Sequence, residues 1–208
     1  GSGTVVTGTL INGNLYQNQY LNIFPLNKKV RLRQLQSYGS QVEAAKIGSR
    51  VALNLAGVKK EELHRGDLLY GNQKYPYGKL IDVNIILPPQ KTPYILKNGS
   101  ELDFICHTKI LKGRIVFRKK ELKSGEQSFA QIRFPESLCL MTGDYFVIRL
   151  PGINETIGGG KVLDSLAAKH SFTKPQWNDW LEKRKNIDLA QLILTDLQKY
   201  SVVKKDEL

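Results

Sequence analysis

Arginine and lysine recur in this sequence where a strand would set them on one side of a sheet. In Val30-Arg31-Leu32-Arg33 the period-two spacing turns Arg31 and Arg33 to one face and Val30 and Leu32 to the other. A guanidinium is a planar fork that grips phosphate oxygens two at a time, so an exposed pair suits a polyanion backbone without reading its sequence. Lys28, Lys29 and Lys46 extend that patch. Arg118, Lys119 and Lys120, in the basic stretch Phe117-Arg118-Lys119-Lys120-Glu121-Leu122-Lys123, make a second. Each patch has a plainer reading: a solvated or internally paired face for the first, and for the second a charged edge that deters sheet-to-sheet aggregation.

Other reactive residue types carry less. Gly158-Gly159-Gly160-Lys161 lacks the spacing and the hydroxyl residue of a phosphate-cradling loop, and no GxxxxGK[ST], DxxG or NKxD occurs, so neither a nucleotide site nor a catalytic residue is assigned. Cys106-His107 reads as two neighbours on one strand, which point to opposite faces, and Cys106 and Cys139 as small buried hydrophobes. His64 and His170 fall in loops and read as solvated. No metal-ligand set is expected. Arg65-Gly66-Asp67 mimics an adhesion tripeptide, and Lys205-Asp206-Glu207-Leu208 a retention tail that is no address without a signal peptide.

These residues stand in a chain of 208 residues with 31 Lys+Arg against 19 Asp+Glu, a net charge of +12. The excess is densest early: ten basic against four acidic residues in 1–75, thirteen against nine in 76–166, eight against six in 167–208. A basic surface attracts polyanions, which makes nucleic acid a partner to consider. The apolar share, 41%, allows real cores and excludes wholesale disorder. No window holds the apolar run of a membrane span, and two cysteines make no disulfide framework, so a cytoplasmic protein with no membrane partner is expected.

The elements that must position these residues are mostly strands. Short period-two runs rich in Val, Ile, Leu, Tyr and Phe fall at Thr4–Leu10, Tyr20–Phe24, Lys29–Leu35, Val51–Leu55 and Asp67–Tyr70, with turn chemistry at Asn12-Gly13-Asn14 and Tyr38-Gly39-Ser40. A break at Asn72–Gly78 separates a second series: Lys79–Leu87, Glu101–Ile110, Gly113–Arg118, Gln127–Phe134, Tyr145–Leu150 and Thr156–Leu163. After Ser165 the period changes. Trp177, Trp180 and Leu181, then Leu189, Leu192, Ile193 and Leu197, repeat at helical spacing behind Pro175. The fold class expected is mainly β: two consecutive antiparallel β-barrels, 1–75 and 76–166, and a helical segment, 167–208, too small to bury both apolar faces alone.

The opening Gly1-Ser2-Gly3-Thr4-Val5-Val6-Thr7-Gly8-Thr9-Leu10, with Val30–Arg33, Gly48-Ser49-Arg50-Val51-Ala52-Leu53-Asn54-Leu55-Ala56-Gly57 and Arg65-Gly66-Asp67, resembles the second domain of translational GTPases of the elongation factor Tu type. Among these the selenocysteine-specific elongation factors are most similar, because Thr156-Ile157-Gly158-Gly159-Gly160-Lys161-Val162-Leu163-Asp164 looks like their signature near the end of the third domain. The resemblance spans residues 1–166. It implies domains II and III of such a factor, which hold selenocysteinyl-tRNA for delivery to the ribosome at recoded UGA codons. It also implies that 167–208 begins a winged-helix module, further modules of which bind the selenoprotein mRNA hairpin. GTP and magnesium would belong to a GTP-binding domain outside this sequence, so the segment itself needs no cofactor and is no enzyme, although its parent would be a GTPase.

In elongation factor Tu the strand matching the one Arg50 opens borders the pocket for the tRNA-bound amino acid. A fixed cation there favours an ionised selenol over the hydroxyl of serine. Arg50 reads equally as a surface cation paired with Glu43 or Asp67. Tyr38 stands where many members show a histidine, and charged residues the family places just before the opening glycines fall outside the sequence, so only half a pocket is present. Barrels of another translational GTPase, Tu-like or initiation-type, and a protein-docking barrel module are the alternatives.

Overall fold

Alternating apolar residues with polar neighbours and glycine-marked turns fold here into sheets curled around apolar interiors. The structure, a computed structural model, describes residues 3–72, 75–90, 93–152, 155–172, 174–186 and 188–206, without side chains at 175 and 200–206. It comprises two units, Gly1–Tyr75 and Pro76–Leu208. Residues 1, 2, 207 and 208 lie outside the described residues, so the very start of the glycine-rich opening and the end of the retention-like tail have no structural account.

The first unit contains β1 (Thr4–Thr9), β2 (Asn14–Tyr16), β3 (Tyr20–Phe24), β4 (Lys28–Ser37), β5 (Ser40–Gln41), β6 (Ala44–Lys46), β7 (Arg50–Ala56), a 3-10 turn (Lys60–Glu62) and β8 (Leu68–Tyr70). The sheet order is β1-β7-β4-β3-β8, with β5 on the end of β4 and β2–β6 as a separate ribbon. Among the described residues β1 and β8 share no ladder; Val6 from one and Leu69 from the other pack against the same core, built on Leu21, Ile23, Val30, Leu32, Leu35, Leu53 and Leu55. The wall is closed by packing. A bulge falls between Leu32 and Gln34 where β4 meets β7, and it turns β4 so that Leu35 regains the interior after two consecutive exposed residues.

The second unit is a closed antiparallel barrel, β11-β12-β14-β9-β16-β15. Its strands are β9 (Tyr77–Ile86), β11 (Glu101–Cys106), β12 (Lys109–Phe117), β14 (Gln127–Cys139), β15 (Tyr145–Arg149) and β16 (Thr156–Asp164), and β10 (Ile95–Lys97) pairs with β13 (Glu121–Lys123) beside it. Glu101–Ile110, expected as one strand, is instead a tight hairpin. His107 takes φ +52 and the chain reverses so that Cys106 faces Lys109. Three-residue strands such as β2, β10 and β13 are too short to show a period.

The Gly158–Gly160 triplet has a packing explanation. β16 runs between β15 and β9, and a Cβ on Gly159 would overlap the Phe146 carbonyl oxygen while one on Gly160 would overlap that of Asn84. Backbones approach there more closely than any side chain allows.

Helices α1 (Pro175–Lys185) and α2 (Leu189–Asp206) follow. Pro175 opens α1, where its missing N–H costs no hydrogen bond. Trp180 and Leu181 bury against Leu163 and Phe172, with Trp177 and Phe129 alongside, so α1 seals the outer face of the barrel. That cover changes the meaning of β9. Ile81, Val83 and Ile85 point into the barrel as the alternation requires, but Asp82 and Asn84, which period two assigns to solvent, are 1% and 9% exposed.

Buried polar groups fasten the segment. His170 Nε2 meets Asp82 Oδ2 at 2.7 Å, and Gln131 Nε2 donates to Asp82 Oδ1 at 3.0 Å. Burial pushes the Asp82 carboxyl above the usual range, against the pull of both hydrogen bonds. The His170 ring stacks on Trp177 at 4.3 Å. His170 is therefore an anchor with its side chain 2% exposed, not the solvated loop histidine its surroundings in the sequence suggest. Arg184 donates from Nε to the Leu163 carbonyl at 2.7 Å and from Nη1 to Thr195 Oγ1 and Asp196 Oδ1 at 2.8 and 2.7 Å. Lys199 reaches Asp164 at 2.6 Å. The face α2 turns inward is this polar one, while Leu189, Ile193 and Leu197 stay exposed.

Candidate nucleic-acid interface

On the first unit, β4 sorts the basic residues by strand parity. Lys29, Arg31 and Arg33 are exposed at alternate positions between buried Val30 and Leu32, a row with a spacing of about 6.8 Å. Lys29 lies over the Tyr20 ring with Nζ 4.9 Å from its centre, and Arg31 Nη2 donates to Asn18 Oδ1 at 3.1 Å. Both contacts orient a cation without neutralising it. Lys28 does not join the row. It has the opposite parity and pairs with Glu62 at 2.8 Å; this bond and a backbone N–H from Lys59 hold the Glu62 carboxyl below its usual range.

Arg50 and Tyr38 lie at the other end of the same sheet, and Lys46, in the β2–β6 ribbon, stands one tight turn before Arg50. Ser37 of β4 faces Val51 of β7, so the Tyr38-Gly39 turn stands beside Arg50, and Thr9 of β1 lies opposite Arg50 on the other side. Tyr38 takes φ +51 and Gly39 φ +84, the left-handed pair a tight hairpin turn requires, and this leaves the Tyr38 ring 82% exposed. Lys46 closes the turn into β7 by accepting the Ser49 N–H at its carbonyl, 3.1 Å. Neither Glu43 nor Asp67 pairs with Arg50 among the described residues. Asp67 instead accepts the His64 N–H at 2.8 Å, as a turn carboxylate does. About six residues of strand, roughly 20 Å, separate this cluster from Arg31.

On the second unit, Arg118, Lys119 and Lys120 are exposed in the bend between β12 and β13. Lys119 is tied to Glu126 at 3.0 Å. Arg118 and Lys119 line one side of a cleft of about 280 Å³ whose opposite wall is α1, with Asn178, Glu182 and Lys185. Asn178 and Lys185 escape a reading by sequence patches, because they lie some sixty residues away and only the docking of α1 brings them alongside.

One further group departs from expectation. His107, turned back by its left-handed φ, does not oppose Cys106: it lies 3.2 Å from Asp144 through Nε2 and Oδ2, and the Cys106 sulfur belongs to the same group. The hydrogen bond to Asp144, with Cys106 adding, pushes the imidazole up to about 10. Burial alone would raise Asp144, but His107 and the Met141 N–H hold it below the usual carboxylate range.

Comparison with known proteins decides the family. Residues 3–70 match the family model "Elongation factor Tu domain 2", and residues 86–169 match "Selenocysteine-specific elongation factor, beta-barrel domain". The chain belongs to the selenocysteine-specific elongation factors. It is 32% identical to the selenocysteine-specific elongation factor of Desulfomicrobium baculatum over 170 residues, 81% of this chain and 27% of that protein. It is 28% identical to the Escherichia coli factor over 183 residues, 87% of this chain and 28% of that one. The elongation factor 1-alpha of Pyrobaculum islandicum matches at 33% over only 69 residues. The chain thus spans about a quarter of the length of these selenocysteine-specific relatives. No helix among the described residues is long and apolar enough to cross a membrane.

Proposed function

We propose that the two barrels grip selenocysteinyl-tRNA by its phosphate backbone, as part of a factor that delivers it to the ribosome at recoded UGA codons. The observation that carries this reading is exposed Arg50 and Tyr38 at one end of the first sheet, with exposed Lys46 one turn before Arg50 and no acidic group in an ion pair with either cation among the described residues. Phosphate binds such cations without sequence preference, and an exposed aromatic beside them offers a stacking face for a terminal base. The Lys29, Arg31 and Arg33 row extends the contact on the first unit, and the Arg118–Lys120 bend offers phosphates a contact of its own on the second. On this reading GTP and magnesium are bound by a domain outside the segment, and the mRNA hairpin by modules beyond it.

Arg50 supplies the selectivity. A permanent cation at the amino acid end stabilises a selenolate and offers no such gain to the seryl precursor. In the full-length factor, Arg50→Ala is expected to weaken selenocysteinyl-tRNA binding more than seryl-tRNA binding; equal losses for both reject the role. The chain itself is expected to bind tRNA with an affinity that falls steeply with salt, and each phosphate-contacting cation removed lowers the log–log slope by just under about 1. Binding to tRNA no tighter than to polyglutamate, or independent of salt, overturns the proposal. The second barrel favours this family over a Tu-like or initiation-type factor, because its match is to the selenocysteine-specific barrel.

A further inference from the structure

Away from the basic surfaces, one group of side chains brings three metal-ligating atoms together. Cys106 ends β11, His107 makes the turn into β12 and Asp144 precedes β15, and one ligand atom from each lies within 4.8 Å of the other two. Strand pairing explains the convergence. Cys106 faces Lys109 across the hairpin and Phe146 across the β11–β15 ladder, so Asp144, two residues before Phe146, stands beside the turn. The left-handed φ of His107, +52, turns its ring toward the same place.

The spacing suits a tetrahedral ion. With zinc–nitrogen and zinc–oxygen bonds of about 2.0 Å the two ligand atoms sit roughly 3.3 Å apart, and a sulfur at about 2.3 Å lies roughly 3.5 Å from the nitrogen. His107 Nε2 and Asp144 Oδ2 are already 3.2 Å apart. With 4.8 Å as the widest separation, the sulfur has little more than an ångström to close. We propose that Cys106, His107 and Asp144 form a zinc site with three protein ligands and a fourth position open to water.

The donor set selects the ion. A thiolate with an imidazole and a carboxylate is a borderline-soft set that suits zinc, whereas magnesium and calcium take oxygen throughout. The ligands run from a buried floor to an open rim: Cys106 is 4% exposed, and the Asp144 and His107 side chains 17% and 49%. That gradient supplies an entry path and room for a solvent ligand. The Met141 N–H donates to Asp144 Oδ2 at 2.8 Å and orients the carboxylate, as outer-shell partners of metal ligands do. Binding releases the thiol proton, now donated to the Tyr145 carbonyl at 3.3 Å, and the proton between His107 and Asp144; both leave to solvent. The ion would clamp the β11–β12 turn to the turn preceding β15.

The test is a cobalt(II) titration of the reduced, tag-free chain followed by zinc competition. Expected are a near-ultraviolet thiolate-to-cobalt band and visible bands of tetrahedral intensity at one cobalt per chain, displaced by zinc. Cys106→Ser abolishes the thiolate band. Asp144→Asn, which preserves shape at a partly exposed position, weakens cobalt binding by about tenfold or more. Cys139→Ser, half-buried and outside the cluster, changes nothing. Absence of a thiolate band with excess cobalt, a band that survives Cys106→Ser, or cobalt binding by Asp144→Asn as tight as that of wild type, overturns the proposal; far-ultraviolet circular dichroism confirms that each variant is folded.

Discussion

Arg184 offers the sharpest test of how the helical segment is held. Its side chain is 2% exposed, it stacks over Trp180 at 4.6 Å, and it donates to the Leu163 carbonyl, Thr195 and Asp196. Arg184→Met keeps most of the packed stem and removes the charge and the donors. The buried Leu163 carbonyl then loses its Arg184 donor, at a cost of about 1–3 kcal/mol. Thr195 keeps its own bonds to the Gln191 and Leu192 carbonyls and loses only an accepted one. Asp196, 45% exposed, is rehydrated, so its pair counts for no more than about 1 kcal/mol. Relief of the guanidinium desolvation cost offsets part of this. The net expectation is a loss of about 1–3 kcal/mol, which at a urea slope of about 2 kcal/mol/M moves the midpoint down by roughly 0.5–1.5 M.

The chain's two tryptophans, Trp177 and Trp180, both lie in α1, so tryptophan emission during urea unfolding reads the docking of that helix, while far-ultraviolet circular dichroism reads the secondary structure of the whole chain. Lys185→Met is the control, because its pair with Glu182 lies at the surface and should move the midpoint by less than about 0.3 M. An Arg184→Met midpoint within that same margin of wild type, or above it, would refute the reasoning.

Three further outcomes are expected. Gly160→Ala should destabilise the second barrel by about 3 kcal/mol or more in urea titrations, because its Cβ meets the Asn84 carbonyl; an unchanged midpoint would mean β16 has room to shift. Gly8→Ala in β1, with nothing within 4 Å of its Cβ, should be neutral or stabilising by up to about 1 kcal/mol. Because burial raises the Asp82 carboxyl above its ordinary 3.8, the native state binds that proton more tightly than the unfolded chain, so this group's contribution to stability falls as pH rises through that window. The urea midpoint of wild type minus that of Asp82→Asn should therefore decline from about pH 4 toward neutrality, and a difference that grows with pH would reverse the assigned sign.

Much of the architecture was legible because period two is a local signal. The reading recovered the bounds of β3 and placed β1, β4, β7 and β9 to within a residue or two, since each alternates long enough to be seen. It ran β11 on into Lys109 and Ile110, the first residues of β12, and set the break at 111–112, because nothing in Cys106-His107-Thr108 marks a turn; a histidine in the left-handed region carries no glycine or Asn-Gly signature. The same error separated Cys106 from His107 and hid the cluster with Asp144. Of the basic residues, the Arg31 and Arg33 parity was readable, but the pairing of Lys28 with Glu62, thirty-four positions away, was not.

Residue order alone therefore determined the strand content, the placement of Arg31 and Arg33 on an outer face, the family, and the excess of cations. Folding in three dimensions decided which polar groups are buried. Asp82, Gln131, His170 and Arg184 sit in stretches whose pattern assigns them to water, and they are enclosed because α1 and the segment before it cover the outer face of β9. Periodicity records which side of its own element a residue occupies, whereas burial depends on what packs against that side, and that contact joins residues too far apart in the chain for any local pattern to register.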